Sequence, residues 1–93
     1  MNTKFEWDEN KNALNQMKHG VSFDDAVLVF SDPSRIERYD WEHSLTEDRW
    51  LFFGMVGSNI IRVSFTERGG VIRIISARKA NKKEEEEYFK WLW

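Results

Sequence analysis

Two glycine turns constrain this chain more than any other feature of its sequence. Gly57-Ser58 and Arg68-Gly69-Gly70 separate three runs, residues 50–56, 59–66 and 71–77, each rich in the β-branched and aromatic side chains that suit a half-buried pleated surface. Tight turns between consecutive runs predict two hairpins and hence an antiparallel meander. In the middle run Ile61, Val63 and Phe65 share one face, leaving Ile60, Arg62, Ser64 and Thr66 on the other. The same alternation in the third run sets Ile72, Ile74, Ser76 and Arg78 together, opposite Val71, Arg73, Ile75 and Ala77. Both faces of this sheet are partly apolar. That pattern predicts helices on one face and a functional cleft or a partner on the other.

The segments before the meander read as one short strand and two helices. Phe5-Glu6-Trp7 alternates as a strand with one buried face. Asp8 or Asn10 can then cap a helix over residues 11–18, with Ala13, Leu14 and Met17 as its apolar stripe and Gly20 suited to the left-handed position that ends it. Ser22 can cap a second helix whose buried stripe is Phe23, Ala26, Val27 and Phe30, stopped by Ser31-Asp32-Pro33-Ser34. A weak strand pattern follows over residues 35–39, and residues 40–49 are polar enough for a loop or a short helical turn. After the meander, Asn81 with Glu84 has capping-box spacing, and Glu84, Glu85 and Glu86 sit where a helix dipole favours negative charge. In that last helix Tyr88, Trp91 and Leu92 share a face, with Phe89 and Trp93 as a second apolar pair.

Length and composition bound the rest. A chain of 93 residues fits one domain, residues 1–93, around a single core. Its longest apolar run falls far short of the roughly 20 residues of a membrane helix, and its first ten residues carry no signal-peptide core, so the expected location is the cytoplasm and no membrane contact is expected. With no cysteine, thiolate metal sites and cysteine nucleophiles are excluded. Two histidines and scattered carboxylates make a weak case for a metal, and no cofactor is expected. The charge is uneven: the balance is −6 to Asp48, +7 from Arg49 to Lys83 and −3 over the last ten residues. A polyanion meets the local field, so the central basic stretch suits a phosphate backbone despite the net charge of −2. Clustered surface charge is the plainer reading of the same numbers.

Four segments in order, Phe5-Glu6-Trp7-Asp8, Lys18-His19-Gly20-Val21-Ser22-Phe23, Val29-Phe30-Ser31-Asp32-Pro33 and Arg73-Ile74-Ile75-Ser76-Ala77-Arg78, resemble the BrnT family of bacterial toxins, and the resemblance spans nearly the whole chain. The polar stretch from Asp40-Trp41-Glu42-His43 to Glu47-Asp48-Arg49 agrees with it. The resemblance implies an α+β chain with a compact RelE-like fold, an antiparallel sheet packed by helices. It also implies an endoribonuclease toxin acting on cellular RNA. The partner implied is a small DNA-binding BrnA-like antitoxin that neutralises the toxin and carries any contact with operator DNA, with higher-order toxin–antitoxin complexes in view. Carried onto this sequence, the functional groups fall on Lys18 and His19 after the first helix, His43 and Glu47 in the polar stretch, and Arg62 and Arg78 in the sheet. The acidic run Glu84 to Glu87 departs from the more basic helix often found there.

Those residue types suit metal-independent RNA cleavage, which needs a base for the 2′-OH, cations for the phosphate and an acid for the departing 5′-oxygen. His19 or Glu47 is the candidate base, Arg62 and Arg78 the phosphate ligands, and Lys18 or His43 the support for charge or leaving group. Each also has a structural reading. Lys18 and His19 suit a helix C-terminus, His43 a polar surface, Glu47 a surface ion pair, Arg62 a sheet edge and Arg78 the approach to a helix N-terminus. Among five tryptophans, Trp41 and Trp93 are the candidates for exposed or partner-bound rings. The competing function is a noncatalytic protein-binding module within a regulatory heterocomplex.

Overall fold

The computed structural model describes residues 3–92. Five strands form one sheet: β1 (Lys4–Glu6), β2 (Ile36–Tyr39), β3 (Trp50–Val56), β4 (Asn59–Arg68) and β5 (Val71–Lys79). Their spatial order is β1-β5-β4-β3-β2. The meander from β2 to β5 is antiparallel, as its turns predict, with Gly57 and Gly70 at φ of 61° and 80°. The sheet as a whole is mixed, because β1 joins the edge of β5 in parallel. About two thirds of the chain separates these two strands, so no tight turn dictates their sense. Three α-helices, α1 (Glu9–His19), α2 (Phe23–Val27) and α3 (Lys82–Leu92), complete an α+β fold.

The main core lies between the sheet and the α1–α2 segment. Val63, Ile61 and Phe65 of β4 meet Phe23, Ala26 and Val29 there. Ser22 caps α2 by accepting the Asp25 N–H at 3.1 Å, as its position predicts. The chain then tightens into a 3-10 turn over Leu28–Ser31. That change of pitch buries Val29 fully and leaves Val27 and Phe30 only half-buried, in place of the expected continuous stripe. Gly54 of β3 makes room for the turn. A Cβ at that position would stand 2.8 Å from Val29 Cγ1 and 3.2 Å from the Val29 carbonyl oxygen.

α1 departs most from its expected packing. Asp8 caps it through the Asn10 and Lys11 N–H groups, and Gly20 ends it at φ 69°, yet Leu14 and Met17 face outward and its buried residues are Asn12 and Asn15. Asn15 donates to the carbonyls of Val21 at 2.9 Å and Ala77 at 2.7 Å and accepts the Ala77 N–H at 3.2 Å. Asn12 accepts the Phe23 N–H at 2.9 Å. Two amides thus satisfy backbone groups that the helix would otherwise bury unpaired, which outweighs an apolar stripe.

β5 also breaks its expected alternation. Ser64 pairs with Ser76 but Phe65 pairs with Ile74, so Ile75 is the extra residue of a β-bulge. Beyond it every side chain changes face. Ala77 joins Ile74 in the main core, against the separation of these two that strict alternation demands. On the opposite face Phe53 and Ile60 pack against Tyr88 of α3. The predicted capping box of α3 is formed, with Asn81 Oδ1 accepting the Glu84 N–H at 2.8 Å and Glu84 Oε1 accepting the Asn81 N–H at 2.9 Å. Of the expected apolar face only Tyr88 is buried, since α3 meets the sheet there and leaves Trp91 and Leu92 exposed. Trp93 lies outside the described residues.

Candidate active site

The sheet register assembles a cationic cleft on the α3 side. Arg62 of β4 stands directly across from Arg78 of β5, and in the next row Ser64 lies between Ser76 and Leu51. The bulge at Ile75 sets this alignment. These residues line a cleft of about 290 Å³ that also takes in His19, Asp40, His43 and Arg49. β1 covers β5 only from Val71 to Arg73, and across the uncovered stretch the end of α1 brings His19 to the cleft.

The segment between β2 and β3 supplies the other wall. Its two ends are tied together: the Asp40 N–H donates to the Arg49 carbonyl at 2.9 Å, and the Arg49 N–H to Ser44 Oγ at 3.0 Å. The tie carries a short 3-10 turn, Trp41–His43, to the cleft. Asp40 is buried, and its Oδ2 lies 2.9 Å from His43 Nδ1. A carboxylate at Nδ1 fixes the ring and leaves Nε2 free for proton transfer.

Arg78 is already engaged. It holds Glu84 through two hydrogen bonds, Nη1 to Oε1 at 2.8 Å and Nη2 to Oε2 at 3.1 Å, while Arg62 Nε lies 4.0 Å from Glu84 Oε2. Burial alone would raise the Glu84 carboxyl. The Arg78 and Asn81 hydrogen bonds and the charges of Arg78 and Arg62 outweigh it and hold Glu84 below its ordinary range. Burial, and then repulsion from Arg78, pushes Arg62 below the usual guanidinium value, although an arginine remains a cation. The Nε atoms of Arg49 and Arg62 are buried without a hydrogen-bond partner among the described residues. Three guanidinium groups on the wall of one cleft describe a site for an anion.

Four of the six expected residues therefore meet: His19, His43, Arg62 and Arg78. Lys18 is exposed on α1 and lines an adjoining groove. Glu47 turns away to Arg68, accepting from its Nε at 3.2 Å and its Nη2 at 3.0 Å. The residues that sequence reasoning missed are Asp40, Arg49 and the clamp role of Glu84. Arg49 had a signal, because it stands two residues before Leu51 and extends that face of β3 by one alternation. Asp40, Glu42 and His43 place three donor atoms within 4.8 Å of one another, but the arginines lining the same cleft favour an anion there.

A family model described as ribonuclease toxin, BrnT, of type II toxin-antitoxin system matches residues 7–84. The chain belongs to the BrnT toxin family. The match contains every residue of the cleft and ends on Glu84, the residue that clamps Arg78. As a BrnT toxin, the chain is a component of a toxin–antitoxin system. Comparison with curated proteins finds no match.

Proposed function

We propose that this BrnT-family chain is a metal-independent endoribonuclease that cleaves single-stranded RNA in the cationic cleft. The observation that carries the reading is the convergence of Arg49, Arg62 and Arg78 beside two imidazoles, His19 and His43. His19 takes the proton of the 2′-OH as that oxygen attacks the adjacent phosphorus, forming the 2′,3′-cyclic phosphate and breaking the bond to the 5′-oxygen. His43, held at Nδ1 by Asp40, returns a proton to the departing 5′-oxygen. Arg62 and Arg49 present their guanidinium groups to the phosphoryl oxygens, and Arg78, positioned by Glu84, adds its charge where negative charge grows. Lys18 strengthens the field at the mouth of the cleft, and Glu47 has a structural part through Arg68. The need for a 2′-OH restricts cleavage to RNA.

The regulatory partner is a BrnA-like antitoxin that covers the cleft and binds operator DNA on behalf of the complex. Trp41 and Trp91, 82% and 74% exposed, suit such an interface. No described helix is long and apolar enough to cross a membrane, and a cytoplasmic site of action fits an RNA substrate.

The test is incubation of wild-type and Arg78→Ala protein with a defined single-stranded RNA in EDTA, with products resolved by size and end chemistry. Cyclic-phosphate or 3′-phosphate ends from the wild type are expected, with a loss of about 100-fold or more in the folded variant. Equal cleavage by Arg78→Ala removes the arginine from the mechanism. Intact RNA with both folded proteins favours the binding-module reading.

A further inference from the structure

α1 is turned inside out relative to its hydropathy. Because Asn12 and Asn15 anchor it to the core, Leu14 and Met17 stand 63% and 85% exposed. They are not isolated on the surface. With Ile75, the extra residue of the β5 bulge, they are the apolar lining of a groove of about 490 Å³ that Lys11 and Lys18 also line. His19, Ile75 and Ser76 line both this groove and the cleft. A strand whose phosphate sits among the arginines therefore has an open path along α1.

We propose that this groove binds the nucleotides next to the scissile phosphate, an inference that rests on the ribonuclease reading of the cleft. Single-stranded RNA alternates apolar base faces with anionic phosphates. The groove offers the matching pair of surfaces, with Leu14, Met17 and Ile75 against a base and two ammonium groups for the backbone. No carboxylate lines it, so the field that attracts phosphate in the cleft keeps its sign along the path. The flexible thioether of Met17 adapts to purines and pyrimidines alike, which predicts that the groove contributes affinity and length dependence with little base selectivity. Paired RNA has no splayed base to lay against this apolar lining.

The experiment measures kcat/KM on a single-stranded RNA 12-mer and on the dinucleotide that spans its mapped cut. The wild type is expected to favour the 12-mer at least tenfold. The double variant Leu14→Ser/Met17→Ser, altered only at exposed side chains, is expected to lose at least fivefold of that advantage, and Lys11→Gln to flatten the salt dependence of KM on the 12-mer. General destabilisation lowers both substrates together and leaves their ratio intact, so the ratio reads the groove. An unchanged ratio in the folded double variant overturns the proposal while the ribonuclease reading stands. An unchanged ratio together with lost binding of a BrnA-like antitoxin assigns the groove to a protein partner and equally overturns it. A wild type that cleaves neither substrate removes the ribonuclease reading and the groove's role with it.

Discussion

Asp32 and Tyr88 show how far one residue's role can exceed its local pattern. In sequence Asp32 marks a turn before the single proline. In the fold its Oδ1 accepts the Ser34 N–H at 2.8 Å, while its Oδ2 accepts the Met55 N–H at 2.7 Å and the Tyr88 hydroxyl at 2.5 Å. It thus joins the turn, β3 and α3. Burial, then the hydrogen bond to the Asp32 carboxylate, pushes Tyr88 up to about 12 from an ordinary value of 10.0. A group whose folded pKa is raised contributes its stability fully below the unfolded value and loses it as pH rises through the folded one. The contribution of Tyr88 is therefore present below pH 10 and fades towards pH 12. Urea midpoints of wild type and Tyr88→Phe are expected to differ below pH 10 and to converge by pH 12. A constant difference across that window contradicts the assignment. Glu84 carries a comparable double duty: its capping box was legible from the spacing to Asn81, whereas its hold on Arg78 depends on where β5 ends relative to α3.

At the scale of elements, the boundaries were more legible than the faces. Asp8, Gly20, Ser22 and Asn81 act through their own local backbone, and each ends or starts its helix as the sequence indicates. The buried face of α1 was misread because hydropathy counts an asparagine as solvent-seeking, whereas a buried amide that completes three backbone hydrogen bonds is a core residue. Asn15→Ala is expected to cost about 3 kcal/mol, since it orphans the Val21 and Ala77 carbonyls and the Ala77 N–H in the interior. Chemical denaturation measures this, and a change below about 1 kcal/mol would show that these groups find other partners. By contrast, Leu14→Ser is expected to change stability by less than about 0.5 kcal/mol, the usual range for an exposed position. The bulge in β5 was invisible for a related reason. Residues 71–77 alternate acceptably in a straight strand, and only pairing with β4 reveals that Ile75 is skipped.

The whole molecule divides its work between the two faces of one sheet. The α1–α2 face holds the main core, and the α3 face holds a smaller cluster of Phe53, Ile60 and Tyr88 with the cleft beside it. Arg49 and Arg62, the guanidiniums of that cleft that no carboxylate holds as Glu84 holds Arg78, give RNA binding a counterion-release character, with about −0.7 in the log–log salt slope for each phosphate neutralised on a single strand. A short 2′-O-methyl RNA, which cannot be cleaved, is expected to bind with a slope of about −1.4 by fluorescence anisotropy, and Arg62→Gln to reduce its magnitude by about 0.7. A slope near zero in the wild type would remove the phosphate-binding role of the cleft. The sequence by itself determined the order of elements, the hairpins and the helix caps, which follow from local backbone preferences and alternation. The α+β class and the four residues that meet in the cleft followed from the resemblance to the BrnT family, whose motifs are contiguous words in the chain. Tertiary structure alone decided that Arg62 faces Arg78, that Asp40 backs His43, that Arg49 completes the cationic wall and that Glu47 leaves it. Register across β4 and β5, the bulge within it and the folding back of residues 40–49 set those positions. Each is a contact between segments whose separate patterns carry no record of their pairing.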